Sequence, residues 1–148
     1  MPHIVFVVAL VLVSAAFAQL EIEIEGESGW ASALPTWKLE NRWTRALLGA
    51  RPLTGYHVWA HVFVLLVLHL PYGLALAPPS WAFELRILSF LILFWIVEDF
   101  LWFVLNPAFG IRRFTRAHAT WHSHSWWGFM PREYWLFLPV GIALYLLS

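Results

Sequence analysis

Cysteine is missing from all 148 residues, which excludes disulfides, thiolate zinc sites, iron–sulfur clusters and cysteine nucleophiles. Charge is scarce: 12% of the residues are Asp, Glu, Lys or Arg, against about 25% in soluble domains. The nine basic and nine acidic side chains cancel, so no net field favours nucleic acid as a partner. Neither internal repeats nor low-complexity tracts interrupt the chain. What remains is apolar, with 61% hydrophobic residues and a mean hydropathy of +0.68. That composition belongs to a membrane protein, and the length suits a single transmembrane domain over residues 1–148. The eleven tryptophans fit as well, because the indole ring favours the headgroup level of a bilayer.

A spanning helix needs about 20 apolar residues. Four stretches come close: 4–20, 58–77, 81–105 and 134–147. The fold expected is therefore all-α, an integral membrane helical bundle of four transmembrane helices with a Trp-rich segment along the interface. The last stretch is only ~21 Å long at 1.5 Å per residue, so it stands upright or sits in thinned bilayer. Pro71 should kink the second span by removing one ladder hydrogen bond. Pro78-Pro79 should make a rigid turn, and Asn106-Pro107 should end the third span.

Residues 5–18, ending in Ala16-Phe17-Ala18, have the look of a signal peptide with a small-residue cleavage site. The basic residues argue for a retained span. Lys38, Arg42, Arg45 and Arg51 fall in the first connection, and Arg112, Arg113, Arg116 and Arg132 in the third. Only Arg86 lies toward the other face. The positive-inside rule then places both connections in the cytoplasm and both chain ends outside the cytoplasmic (inner) membrane. A cleaved leader would put all of the first eight outside.

Glu21-Ile22-Glu23-Ile24-Glu25 alternates charge with isoleucine, which suits a short strand or a helix leaving the membrane equally. Trp30, Leu34, Trp37 and Trp43, set among basic residues, suggest the interfacial segment. Several strings stand out: Glu21-Ile22-Glu23-Ile24-Glu25-Gly26, Gly29-Trp30-Ala31, Leu34-Pro35-Thr36-Trp37 and Pro52-Leu53-Thr54-Gly55-Tyr56-His57. Glu98-Asp99-x2-Trp102-Phe103-x2-Asn106-Pro107 and Trp121-His122 complete the set. Together they resemble a family of small, uncharacterised integral membrane proteins of bacteria and archaea. The resemblance covers most of the chain and implies a multi-span membrane protein; it brings no catalytic assignment. The His-x3-His pairs are loosely similar to the histidine boxes of membrane desaturases and hydroxylases. His-x2-His-His is missing, however, and the chain is much shorter than those enzymes.

The functional clue is Glu98-Asp99 inside the third span. A carboxylate near mid-bilayer costs about 2.5–3.5 kcal/mol on insertion scales, so both acids need partners. Seven histidines are the plentiful candidates. Counted at 1.5 Å per residue, His61 lies about 8 Å and Asp99 about 10 Å from the cytoplasmic ends of their spans. His57 sits one turn from His61 on the same face, a spacing at which two imidazoles can share an ion. Glu98, rotated by about 100°, faces a different helix. His118, His122 and His124 follow on the same side of the membrane. Thus His57, His61, Asp99, His118, His122 and His124 form a candidate shell for a divalent metal (iron, zinc or manganese). Glu98 and Asp99 are the candidate catalytic carboxylates, and Glu21 or Glu25 could reach them. Plainer readings stand beside these. The three late histidines suit an interfacial segment, Asp99 could pair with Arg112 or Arg113, and Glu98 could be hydrogen-bonded as a neutral acid. His69 is expected to bond a backbone carbonyl, level with Leu93 where the third span offers it no polar partner. His3 is peripheral.

Two functions follow, and whether the protein is an enzyme stays open between them. One is a metal-dependent enzyme acting on a lipid or other apolar substrate at the cytoplasmic face, walled by Trp95, Trp102, Trp126 and Trp127. The other is a structural or accessory subunit of a larger membrane complex, its polar residues serving helix packing. Proton or ion relay is weaker, because only His69 continues toward the outside. Haem ligation is weaker still, since intramembrane histidines fall on one span.

Overall fold

Apolar periodicity and capping chemistry set the elements. The computed structural model describes residues 2–48 and 51–148, and of Pro2, Leu47, Thr120, Ser123 and His124 the backbone alone. Helix accounts for 67% of it, which upholds the mainly helical expectation. The helices are α1 (Pro2–Glu25), α2 (Arg42–Leu48), α3 (Gly55–Gly73), α4 (Trp81–Leu105) and α5 (Arg132–Leu146). Two small antiparallel ribbons depart from a purely helical fold. One pairs β1 (Lys38–Leu39) with β2 (Leu53–Thr54), and the other pairs β3 (Trp126–Trp127) with β4 (Met130–Pro131). The first ribbon closes the loop that carries α2 and so returns Arg51 to the start of α3.

Among the described residues two helices are long and apolar enough to cross a membrane: His3–Glu25 of α1, and α4. Helix α3 has 19 residues with Pro71 inside, and α5 has 15 with Pro139 inside. The second expected span therefore ends early, at Gly73 rather than 77. Leu76 N and Ala77 N both donate to Pro71 O, and Ala75 takes a positive φ of 54°, so the chain turns instead of continuing. The stretch from Glu21 to Glu25 is helical, not extended. Ala18, Glu21, Ile22 and Glu25 are buried at helical spacing while Glu23 is exposed, so tertiary burial overrides the two-residue alternation.

Caps explain the other boundaries. Ser80 Oγ accepts from Phe83 N at 3.2 Å to start α4, and Thr54 Oγ1 accepts from His57 N at 3.2 Å to start α3. Asn106 ends α4 and ties it to α1, its Nδ2 donating to Gly26 O at 2.8 Å.

Helix α4 is central, flanked mainly by α1 and α5; its pairing with α3 is sparser than two helices joined by a short turn would suggest. Phe94 is fully buried among Leu10, Val64 and Leu93, and Phe103 among Ala18, Ile22, Trp102 and Ala119. Ser89 Oγ donates to Gly141 O at 2.8 Å where α5 crosses α4. A Cβ at Gly141 would stand 2.7 Å from Leu93 Cδ2, so the crossing needs glycine. Gly141→Ala is expected to cost about 1–3 kcal/mol by overpacking, read as a lower denaturation midpoint in detergent.

At the end of the bundle away from the loops, His3 Nδ1 meets Tyr145 Oη at 2.6 Å, and Arg86 Nε donates to Ser148 Oγ at 3.2 Å. His69 Nδ1 donates to Leu65 O at 2.7 Å, the expected backbone carbonyl. It is not without a partner on α4, however: its Nε2 lies 3.4 Å from Glu84 Oε2. The tight return after Pro71 brings the first turn of α4, rather than Leu93, alongside it.

Candidate functional site

Neighbouring residues on a helix point about 100° apart, and Glu98 and Asp99 enter different surroundings. His122 Nε2 lies 3.3 Å from Asp99 Oδ1 and 3.2 Å from Oδ2, and the Tyr134 hydroxyl donates to Oδ2. Behind the imidazole, Arg51 Nη1 donates to His122 Nδ1 at 3.2 Å and Nη2 to Glu133 Oε1 at 3.1 Å. A guanidinium only donates, so Nδ1 must accept and the ring proton sits on Nε2, toward Asp99. The result is a chain, Glu133–Arg51–His122–Asp99–Tyr134, that joins α4 and α5 to two loops. Both nitrogens of His122 are engaged, so it positions Asp99 rather than serving as a free base. Burial pushes the Arg51 guanidinium below its usual pKa, while the charges of Glu133 and Asp99 push it back up.

The loop after α1 supports this chain through a strained turn. Gly29, Trp30 and Ala31 have φ of 51°, 51° and 48°, a left-handed run that costs L-residues about 1–2 kcal/mol each. Three contacts hold it. Glu25 Oε1 accepts from Ala31 N at 2.5 Å, Trp30 Nε1 donates to Pro52 O at 2.9 Å, and Trp121 fills the space where a Gly29 Cβ would stand. The Trp30 ring then carries His57 stacked at 4.2 Å and the Arg51 guanidinium at 4.3 Å. Strain of this kind persists only where surrounding contacts enforce it, and it gathers at functional sites.

Glu98 turns the other way, toward α1. It approaches Glu21 side chain to side chain, and Glu21 Oε1 accepts from the Tyr56 hydroxyl at 3.0 Å. Glu98 is 3% exposed, and its Oε1 has no hydrogen-bond partner among the described residues. Glu21 and Glu98 line one cavity of about 670 Å³, with Asp99, His122, Glu133 and Tyr134. One end holds Glu21, Glu25, Glu98 and Asp99; the remainder is apolar, including Val62, Leu91, Ile92 and Phe137.

The five candidate ligands whose side chains are described, His57, His61, Asp99, His118 and His122, are not gathered into one coordination sphere. Asp99 and His122 meet. His57 Nδ1 lies 2.6 Å from Thr54 Oγ1, and His61 Nδ1 donates to His57 O at 2.7 Å while its ring stacks on Trp95 at 4.0 Å. Those contacts engage Nδ1 of each ring, and both rings line the cavity with Asp99. His118 is exposed and bonded to Thr115 Oγ1 at 2.9 Å, because 118 lies in a turn rather than on the helix that would have aligned it with 122. The His124 side chain lies outside the described residues. Among the described residues no group of three His, Asp or Glu side chains is placed to hold a metal ion. Asp99 pairs with neither Arg112 nor Arg113; the guanidinium behind it belongs to Arg51, and Arg113 instead donates to Ala108 O. Of the four tryptophans expected to wall the site, Trp95 and Trp102 do so, joined by Trp30 and Trp121.

Arg51, Glu133, Tyr134 and Tyr56 belong to the site and were not singled out from sequence. Two faint signals existed: Arg51 directly precedes the Pro52–His57 string, and Glu133-Tyr134 opens the last apolar stretch. No protein-family model, curated protein or solved structure matches the chain.

Proposed function

We propose that the chain is a four-span protein of the cytoplasmic membrane, with both ends outside, and that its cavity binds and converts a lipid or other apolar substrate. Glu98 is the reacting carboxyl, exchanging a proton with the substrate. Asp99, fixed by His122 and Tyr134, holds the wall beside it. One observation carries this reading: Glu98, 3% exposed, lines a largely apolar cavity together with Glu21, Glu25 and Asp99. Acids buried together against apolar surface cost free energy, and such clusters gather at working sites. The bilayer setting is supported by the outward faces: Val5, Leu12, Trp59, Phe63 and Trp81 are all more than half exposed. Continuous apolar surface of that kind belongs against acyl chains. Helix α5, with 15 residues, would cross upright or in locally thinned bilayer.

The test is turnover. Purified protein incubated in detergent with a total membrane lipid extract should deplete at least one lipid species by mass spectrometry. Glu98→Gln should slow that depletion by about 10²–10⁴-fold, the usual contribution of a general acid or base. An extract left unchanged, or equal depletion by Glu98→Gln, overturns the proposal.

The accessory-subunit reading rests on a separate observation. The Glu133–Arg51–His122–Asp99–Tyr134 chain is hydrogen-bonded from end to end, Glu133 Oε2 apart, and links α4, α5 and two loops, as a purely structural network would. It predicts a silent Glu98→Gln, with assembly lost in Asp99→Asn.

A further inference from the structure

Charge is not spread evenly over the loop end of the bundle. Between Asp99 and Glu133 the chain carries four arginines and three histidines and no acidic residue. Arg112, Arg113 and Arg116 are exposed, as is His118. Neither Arg112 nor Arg113 meets a carboxylate among the described residues. The connection between α1 and α3 differs. Its Lys38, Arg42 and Arg45 share the surface with exposed Glu23, Glu27 and Glu40, and Arg45 Nη2 is paired with Glu40 Oε2 at 3.4 Å. Of the two, the segment after α4 presents undiluted positive charge.

That segment is held in place rather than trailing from its helix. Gly110 N donates to Asn106 O at 3.1 Å, and the single turn Ile111–Arg113 follows. Phe109 packs on Trp102 at 5.2 Å and Phe114 on Phe103 at 5.1 Å, so both sides of the turn are pinned to the end of α4. Ile111 itself is 55% exposed. Trp126 packs on Phe114 at 5.3 Å, which brings the β3–β4 ribbon alongside, and Trp127 and Phe129 of that ribbon are also more than half exposed. A lipid headgroup layer accepts bare apolar side chains next to arginines, whereas an acidic protein segment would match the arginines alone. Depth agrees. Helix α4, with 25 residues, is ~37 Å long against about 30 Å of hydrocarbon, so its end near Asn106 reaches the phosphates.

We infer that the Ile111–Arg113 turn, together with Arg116, is a binding site for an anionic glycerophospholipid. The arginines donate to the phosphate, while Ile111, Trp127 and Phe129 enter the upper acyl region. Guanidinium suits phosphate because its planar fork meets two oxygens at once. A zwitterionic lipid offers the same phosphate beside its own ammonium group, which the arginines repel. This site rests on the reading of α4 as a span, but not on turnover in the cavity.

Native mass spectrometry of the full chain in non-ionic detergent, titrated with dioleoyl phosphatidylglycerol or dioleoyl phosphatidylcholine, tests it. Phosphatidylglycerol should bind ~10-fold or more tightly than phosphatidylcholine, since each arginine at headgroup level contributes up to about 5-fold. Replacing Arg112, Arg113 and Arg116 together by glutamine should bring the two lipids within ~3-fold of each other. The matching triple variant Lys38→Gln, Arg42→Gln, Arg45→Gln removes the same charge from the other connection and should keep the preference. Equal binding of the two lipids by the wild type overturns the site. So does a preference that survives loss of the three arginines, or one that both triple variants lose equally, because net charge alone would then explain it. Binding of a polyglutamate peptide without any lipid preference would assign this face to an acidic protein and overturn it as well. The wild-type comparison decides even if a variant fails to fold. Phosphatidylglycerol preference in a chain that depletes no lipid would leave this site standing and remove the catalytic reading. Depletion without that preference would do the reverse.

Discussion

Asp99→Ala is expected to destabilise the protein by about 2–6 kcal/mol, because two donors, His122 Nε2–H and the Tyr134 hydroxyl, each lose their acceptor at about 1–3 kcal/mol. The magnitude follows from what is left behind. Arg51 is 6% and His122 3% exposed, so neither can turn to solvent for the hydrogen bonds it loses. Tyr134 loses its acceptor as well. Asp99→Asn should cost less, because Oδ1 can still accept from one neighbour. Its Nδ2 would oppose another donor, however, since both His122 Nε2–H and the Tyr134 hydroxyl donate here. Adding Tyr134→Phe to Asp99→Asn removes one of the competing donors and should recover part of the loss. Denaturant titration of the single and double variants in detergent gives the coupling. A loss below about 1 kcal/mol for Asp99→Ala would mean that water already solvates the pair, since exposed ion pairs contribute no more than that.

The second large effect is expected at Gly29. Its φ of +51° disfavours any L-residue, and a Cβ would lie 2.5 Å from Trp121 Cη2. Left-handed strain of about 1–2 kcal/mol and overpacking of about 1–3 kcal/mol together give Gly29→Ala a cost of roughly 2–5 kcal/mol. Gly26 separates the two causes. Its φ is +63°, but nothing lies within 4 Å of an added Cβ, so Gly26→Ala should show only the conformational part. If both variants lose the same stability, Trp121 yields and the clash is not real. Gly29→Ala should also displace Trp30, and with it the rings of His57 and the guanidinium of Arg51, lowering ligand binding beyond the stability loss.

Which acid found which partner could not be read from spacing, and the reason lies in the loops. Depth counting placed His61 level with Asp99, and both do line one cavity. Level is not contact, however: the His61 ring is taken by Trp95 and its Nδ1 by a backbone carbonyl of its own helix. The nitrogen that reaches Asp99 comes from His122, in a segment of short 3-10 turns whose path depends on packing against Phe103 and Trp121. Arg51 arrives only because β1 pairs with β2 and folds its loop back. Neither event leaves a periodic trace in sequence. At Glu21 to Glu25 the local pattern was ambiguous, and the burial of Glu21 and Glu25 against α4 settled it as helix.

Composition and hydrophobic run length by themselves determined the helical class, the bounds of α4 to the residue, and the presence of two acids inside an otherwise apolar run. These are properties of one stretch of chain, governed by transfer free energy and by the stops at Ser80 and Asn106-Pro107. Tertiary structure alone decided that Asp99 is satisfied by a five-residue relay while Glu98 faces a cavity with an unmet oxygen. The physical reason is that hydrogen bonding here is fixed by angstrom-scale convergence of α4, α5 and two loops, which no single segment encodes.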